Sequence, residues 1–300
     1  MVPFRWALAA TVLSSSLVVL SGCNVFESLY DSADGDAQAL VASAETALQQ
    51  GNDARAVDLF QKALASAPVG SSEQARAANG LATASYERNG VSVLLFGRIA
   101  TDLIERFESG STPSSVPPPG VCSFALPERA GQEIVLTSVD GYPALRASVA
   151  AIAQTRQTLA AAYSIPANPG PSYNTAALVA ALRARGLSNN EIASVLINLT
   201  FAYTATAFDR IANAGGEQIR WFEIFPTTGD SYLGYCAPSV ETLNAVKREA
   251  SCSLGDIGFS VALLKERARL YAGESFSTSL IDDADAAYRR LSEEIGTACN

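Results

Sequence analysis

There is no histidine anywhere in the 300 residues of this chain. Histidine is the side chain that titrates nearest neutral pH, so its absence removes the usual general base of serine and cysteine hydrolases. It also removes the commonest zinc ligand, and no Cys-x-x-Cys pair stands in for it. Basic residues are in deficit: 21 Lys and Arg face 30 Asp and Glu, a net charge of −9. That balance argues against nucleic acid, whose phosphates call for a basic face, and against electrostatic docking on anionic lipid. Nucleotide loops of the Walker or dinucleotide type are missing, as is a zinc-protease helix. No stretch alternates with period two for long enough to predict a sheet. Aromatics are few, at 8 % against 48 % hydrophobic residues, and alanine carries much of the apolar content. This composition points to closely packed helices. The expectation is an all-α chain with no catalytic residue, no cofactor and no metal.

What is present begins at the N-terminus. Arg5 is followed by an apolar and small-residue run from Ala7 to Leu20, interrupted by Ser14, Ser15 and Ser16. The run falls short of the ~20 apolar residues that span a bilayer. It has the order of a signal peptide: a positive start, a hydrophobic core and a small-residue cut site. Leu20-Ser21-Gly22-Cys23 resembles a bacterial lipobox. The resemblance implies removal of residues 1–22 and lipidation of Cys23, against the alternative of an ordinary secretory signal in which Cys23 is accidental. Each buried methylene of an acyl chain adds roughly 0.8 kcal/mol of membrane affinity, so the membrane would be held through the lipid. Asn24 after the anchor favours, by the same resemblance, the periplasmic face of the outer membrane. Residues 23–36 read as lipidated end and tether, since Asp31-Ser32-Ala33-Asp34-Gly35-Asp36 is acidic and poor in core formers.

Residues 37–108 carry helical spacing. Leu40, Ala44, Ala47 and Leu48 share one face of a first helix, Gly51-Asn52 is a turn, and Asp53 stands where a cap for the next helix is needed. Ala56, Phe60, Ala63 and Leu64 then recur at helical period until Pro68. Gly51, Ala56, Phe60, Ala63 and Pro68 match the spacing of the second half of a tetratricopeptide (TPR) repeat, which this segment resembles, with Leu40 and Ala44 departing from its first half. Glu73 to Asn89 and Val91 to Glu108 form a second, weaker pair, with Tyr86 and Gly90 at the repeat's spacing and Leu95 replacing its small residue. The resemblance implies a TPR-like helical hairpin array, an α-solenoid, continued by additional C-terminal helices.

Residues 109–127 are a Pro-rich loop containing Pro113, Pro117, Pro118, Pro119 and Gly120. Residues 128–300 are expected to be a helical region packed on the repeats. Its helices are predicted over Gly141–Ser164, Ser172–Arg185 with Gly186 as C-cap, and Ser188 to about Asn213 behind a capping box at Ser188 and Glu191. Val240–Tyr271 follows, with a break near Gly255, and Ser279–Ala298 is the last. With Cys23 lipidated, Cys122, Cys236, Cys252 and Cys299 remain for two disulfides. A hairpin turning at Gly273-Glu274-Ser275 sets Cys252 and Cys299 at one level, which leaves Cys122 to pair with Cys236.

Two constellations invite a chemical reading. Glu217 and Glu223 flank Trp221, as paired acids beside an aromatic do in sugar-cleaving sites. Gly229-Asp230-Ser231 resembles the GDS block of lipase-like esterases, but that family needs a histidine, so a turn is the better reading. Asp282, Asp283 and Asp285 suit the start of the last helix. The densest aromatic cluster, Trp221, Phe222, Phe225, Tyr232 and Tyr235, is predicted in a loop fastened by Cys236. Its rings either plug the end of the array or anchor a partner or ligand.

These readings lead to a lipid-anchored periplasmic scaffold or adaptor that binds a protein partner in an envelope complex. The alternative is a ligand-binding or transport-accessory lipoprotein that resembles the TPR-built T component of TRAP transporters, which would take an apolar small ligand along a channel. Neither uses nucleic acid.

Overall fold

The computed structural model describes residues 36–91, 120–122, 129–134, 142–225 and 232–270, with single helical positions at Leu95, Asp102, Asp285, Tyr288, Arg289 and Ser292. The expected lipobox and tether, most of the expected Val91–Glu108 helix, most of the Pro-rich segment 109–127 and most of the expected Ser279–Ala298 helix lie outside these residues.

Helix α1 (Ala37–Gln49) begins at Asp36, whose carboxylate accepts from the Gln38 amide. It buries Val41, Ala44 and Ala47. It ends where Gly51, at φ +71°, turns the chain and bonds back to Leu48 while Asn52 bonds back to Ala47. This paired closure satisfies carbonyls the helix end would otherwise leave open. Helix α2 (Asp53–Ser66) is capped by Asn52 rather than by the expected Asp53. The Asn52 side-chain oxygen accepts from the Arg55 amide, which places Asp53 inside the first turn near the positive helix end. Helix α3 (Ser72–Arg88) is capped by Ser71 and ends at Asn89-Gly90 with the same paired closure. Ala56, Phe60 and Ala63 are sealed between α1 and α3.

Helix α4 (Tyr142–Ala162) presents the predicted stripe of Leu145, Val149, Ile152 and Leu159 to the core. Helix α5 (Thr175–Ala184) closes at Gly186, φ +83°, and leads into α6 (Asn189–Asn213). The capping box is formed: Ser188 Oγ accepts from the Glu191 amide, and the Glu191 carboxylate accepts from the Ser188 amide at 2.7 Å. Helix α6 is the central rod of the molecule. It is long and apolar enough to cross a membrane, yet 67 % of its apolar window is buried inside the protein.

Polar bonds fix α3 against its neighbours. Asn198 on α6 donates to Asn79 Oδ1 at 2.8 Å and Thr83 Oγ1 at 2.9 Å, and Tyr86 on α3 donates to the Asn198 carbonyl at 3.0 Å. Tyr163, just past α4, donates to the Ala75 carbonyl, and Arg76 meets Glu191 at 2.7 Å.

Helix α7 (Val240–Leu270) runs unbroken through Gly255, contrary to the expected break. A lone glycine costs a helix roughly 1 kcal/mol, an amount packing offsets. The close approach is at Gly258, where a Cβ would lie 2.7 Å from the Tyr288 ring; one at Gly255 would meet only Gly170 Cα, at an ordinary 3.9 Å.

The molecule is mostly helical but carries a small sheet that the sequence reading did not foresee. Strands β1 (Val121–Cys122), β2 (Arg129–Ile134), β3 (Arg220–Phe225) and β4 (Tyr232–Ala237) form an antiparallel sheet in the order β1-β4-β3-β2. The predicted aromatic loop is thus two strands of a hairpin. Alternation failed as a signal because neighbours on β3 are both shielded: Phe222 and Ile224 are buried on one side while Trp221 packs on the other. Strands covered on both faces read as apolar runs rather than alternating ones.

Candidate functional site

The aromatic segment is divided by the pleat of the strands. Trp221 and Tyr235 are register partners on β3 and β4, with ring centroids 5.6 Å apart. They pack with Ile219, Ala237, Leu243 and Val246, which joins this face of the sheet to α7. Phe222 points the other way, into a cluster with Ile224, Cys236 and Cys122, and the Arg220 guanidinium lies 5.7 Å from its ring centre. Phe225 pairs with Arg129, and Tyr232 with Ile224, in the backbone register. The five residues therefore share a sheet but not a face.

Cys122 and Cys236 oppose each other in β1 and β4 and are disulfide-bonded, with Cα atoms 4.0 Å apart and a sequence separation of 114. Gly120, at φ +150°, lets the incoming chain approach: a Cβ there would sit 2.2 Å from the Ala237 carbonyl oxygen. Cys252 is also disulfide-bonded. Cys23 and Cys299 fall outside the described residues, as do Gly229, Asp230 and Ser231.

Of the paired acids, Glu217 is engaged in an ion cluster. Arg146 on α4 donates to Glu217 Oε1 at 2.5 Å, to Asp209 Oδ1 at 2.9 Å and to Asn213 Oδ1 at 3.3 Å, while the Tyr142 hydroxyl donates to Glu217 at 3.3 Å. Burial, and then the Glu217 charge, push the Tyr142 phenol up to about 12. Arg146 and Tyr142 thus tie α4 to the end of α6 and the residues just past it. Glu223 occupies β3 opposite Leu233.

A second charged cluster, between α4, α6 and α7, was not singled out from the sequence. Asp256 is only 2 % exposed and is held by Arg156 at 2.8 Å and Arg210 at 3.1 Å. Arg156 also donates to the Ala167 carbonyl and lies over the Tyr203 ring, its central carbon 4.4 Å from the centroid. Burial raises the Asp256 carboxyl above its usual range in spite of the two arginines. The Tyr203 hydroxyl is wholly buried without a hydrogen-bond partner. One signal was legible: Asp256 is the lone charge in Leu254-Gly255-Asp256-Ile257-Gly258-Phe259. Its partners, 100 and 46 residues away, were not.

Among the described residues, no three of His, Cys, Asp and Glu gather in a way that could hold a metal ion. No family model, curated protein or solved structure matches this chain.

Proposed function

We propose that the protein is a lipid-anchored scaffold of the cell envelope, whose TPR-like hairpins receive a protein partner and whose work is binding rather than catalysis. The observation that carries this reading is the interlock of α1, α2 and α3. Ala56 and Ala63 let the helices approach, Phe60 enters the gap left by Gly80 on α3, and each helix ends in a short closed turn. Consecutive antiparallel helices packed in this way are the unit from which binding solenoids are built. The lipobox supplies the anchor and the acidic tether the reach from the periplasmic face of the outer membrane.

The transport-accessory alternative calls for an apolar channel through the helices. Around α6 the interior is instead filled, among the described residues, by Leu196, Leu199, Tyr203 and Phe259, which supports the scaffold reading. Engagement of Glu217 with Arg146 supports a non-catalytic role over glycoside cleavage.

The test uses the full chain expressed in a bacterium with its tether intact. Mass spectrometry is expected to find Cys23 acylated, and Cys23→Ser to release the protein from the membrane fraction. Affinity capture from that membrane is expected to recover one stoichiometric protein partner, lost when exposed residues of α1 and α2 such as Gln38 and Lys62 are replaced by Ala. An unmodified Cys23, or turnover of a carbohydrate stopped by Glu217→Gln, would overturn the reading.

A further inference from the structure

We propose that Cys252 is a site of thiol–disulfide exchange: joined to Cys299, it fastens the last helix to α7, and this bridge opens to a dithiol while Cys122–Cys236 stays closed. Cys252, on α7, is disulfide-bonded, and Cys122 and Cys236 are joined to each other. Of the five cysteines in the chain, Cys23 and Cys299 are the two partners left, both outside the described residues.

The described positions of the last helix favour Cys299. Lys265 meets Asp285 at 2.8 Å, and Gly258, two turns earlier on α7, lies against the Tyr288 ring. Moving back along α7 therefore means moving forward along the last helix, so the two run antiparallel. Cys252 lies six positions before Gly258 on α7, about 9 Å at helical rise. The eleven residues from Tyr288 to Cys299 span about 16 Å as helix, enough to arrive there. Cys299 reaches Cys252 whether or not Cys23 carries a lipid, so this bridge and the lipid anchor can fail separately.

The two bridges differ in their surroundings. Cys236 is 2 % exposed and packed with Phe222 and Ile224, and Cys122 lies against the same cluster. Before β1, Gly120 sits so close to the Ala237 carbonyl that a Cβ would overlap it, which covers that end of the strand pair. Cys252 is only partly buried. Exchange requires a thiolate to reach a sulfur, so access orders the attack. Loop length acts in the same direction: the Cys252–Cys299 loop spans 47 positions against 114, and a shorter loop restrains the unfolded chain less.

In the exchange, a thiolate of the dithiol attacks one sulfur of the bridge. A mixed disulfide forms, and the other cysteine leaves as a thiolate that takes a proton from water. The second thiol of the dithiol loses its proton and attacks the mixed disulfide, which frees the remaining cysteine. Two electrons have passed to the bridge, and the dithiol departs as a disulfide. The Lys265–Asp285 pair is partly exposed at both ends, and pairs of that kind add little stability. Opening the bridge therefore loosens the last helix around Tyr288.

A tryptic map of the denatured, unreduced full chain tests the pairing. It is expected to contain Glu249–Lys265 joined to Leu291–Asn300. Titration of the native protein with dithiothreitol, quenched with N-ethylmaleimide, tests the exchange. Cys252 and Cys299 are expected to be labelled about tenfold or more faster than Cys122 and Cys236. Trypsin is expected to cut the partly reduced native protein after Arg289 and Arg290 about tenfold or more faster than the oxidised form, as local opening implies. These measurements use the parent protein, so no variant has to fold. Glu249–Lys265 found unbridged, or joined to the peptide of Cys23, overturns the proposal. Equal or reversed labelling of the two bridges also overturns it, as does unchanged cleavage after Arg289 and Arg290.

Discussion

The ring of Phe60 occupies the space that a side chain at position 80 would need: a Cβ on Gly80 would lie 2.2 Å from Phe60 Cζ. Alanine normally favours a helix over glycine by roughly 1 kcal/mol. Here that gain is set against overpacking of a ring only 1 % exposed. Gly80→Ala is therefore expected to destabilise the protein by about 1–3 kcal/mol. Urea unfolding followed by circular dichroism checks it, and a stabilised variant would mean that α2 and α3 are not interlocked.

The Asp256 carboxylate is the hub of a buried charge cluster at 2 % exposure. Asp256→Ala leaves Arg156 and Arg210 without it and should cost about 3–5 kcal/mol, the range for breaking a buried ion pair. A midpoint of denaturation unchanged from the parent protein would show that solvent already compensates both arginines.

Glu191 makes a pH dependence accessible. Burial works against its ionised form, but the Ser188 hydroxyl and amide and the Arg76 guanidinium outweigh that and hold the carboxyl below its usual range. A carboxyl lowered in the folded state contributes stability above its unfolded pKa, and the contribution is lost as pH falls through the folded value. At neutral pH, Glu191→Gln should cost about 1 kcal/mol, as damage to a helix cap does. The gap between parent and variant should shrink as pH falls below about 4.3. A gap that widens on acidification would reverse the sign assigned to Glu191.

The disulfide between Cys122 and Cys236 closes a loop spanning 114 positions. Its removal in a Cys122→Ser, Cys236→Ser protein should lower stability by about 2–5 kcal/mol. In a chain starting at Cys23, Trp221 is the sole tryptophan, and it lies on β3 next to the strand that holds Cys236. Its fluorescence should shift to the red in the variant while the helical circular dichroism persists. Loss of helix and sheet together would mean that the sheet is not a separable element.

Local signals were readable in advance where cause and effect are a few residues apart. Ser188 and Glu191 cap α6 within one turn, Gly186 closes α5 against carbonyls of its own last turn, and the 3.6-residue recurrence of Leu145, Val149, Ile152 and Leu159 marks the buried stripe of α4. Small shifts in such local reading, as between Asn52 and Asp53 at the start of α2, arise because either side chain can accept from a neighbouring amide. The sheet was missed for a different cause: Trp221 packs toward α7 and Phe222 toward the disulfide cluster, so apolar neighbours on opposite faces interrupt the alternation that marks a strand with one outer face.

The sequence by itself determined the described helices and, at α5 and α6, the residues that close or cap them, because a helix satisfies its backbone within one turn and its caps lie beside it in the chain. It also determined a chain without histidine chemistry and with an acidic surplus. Only the tertiary structure decided that α7 would run on through Gly255 and that Gly258 would lie close against Tyr288. The meeting of Asp256 with Arg156 and Arg210, and the division of the aromatic strand between two faces, were likewise decided there. Those outcomes depend on which surfaces meet across tens of residues, and contact between distant segments has no spacing in the sequence from which it can be read.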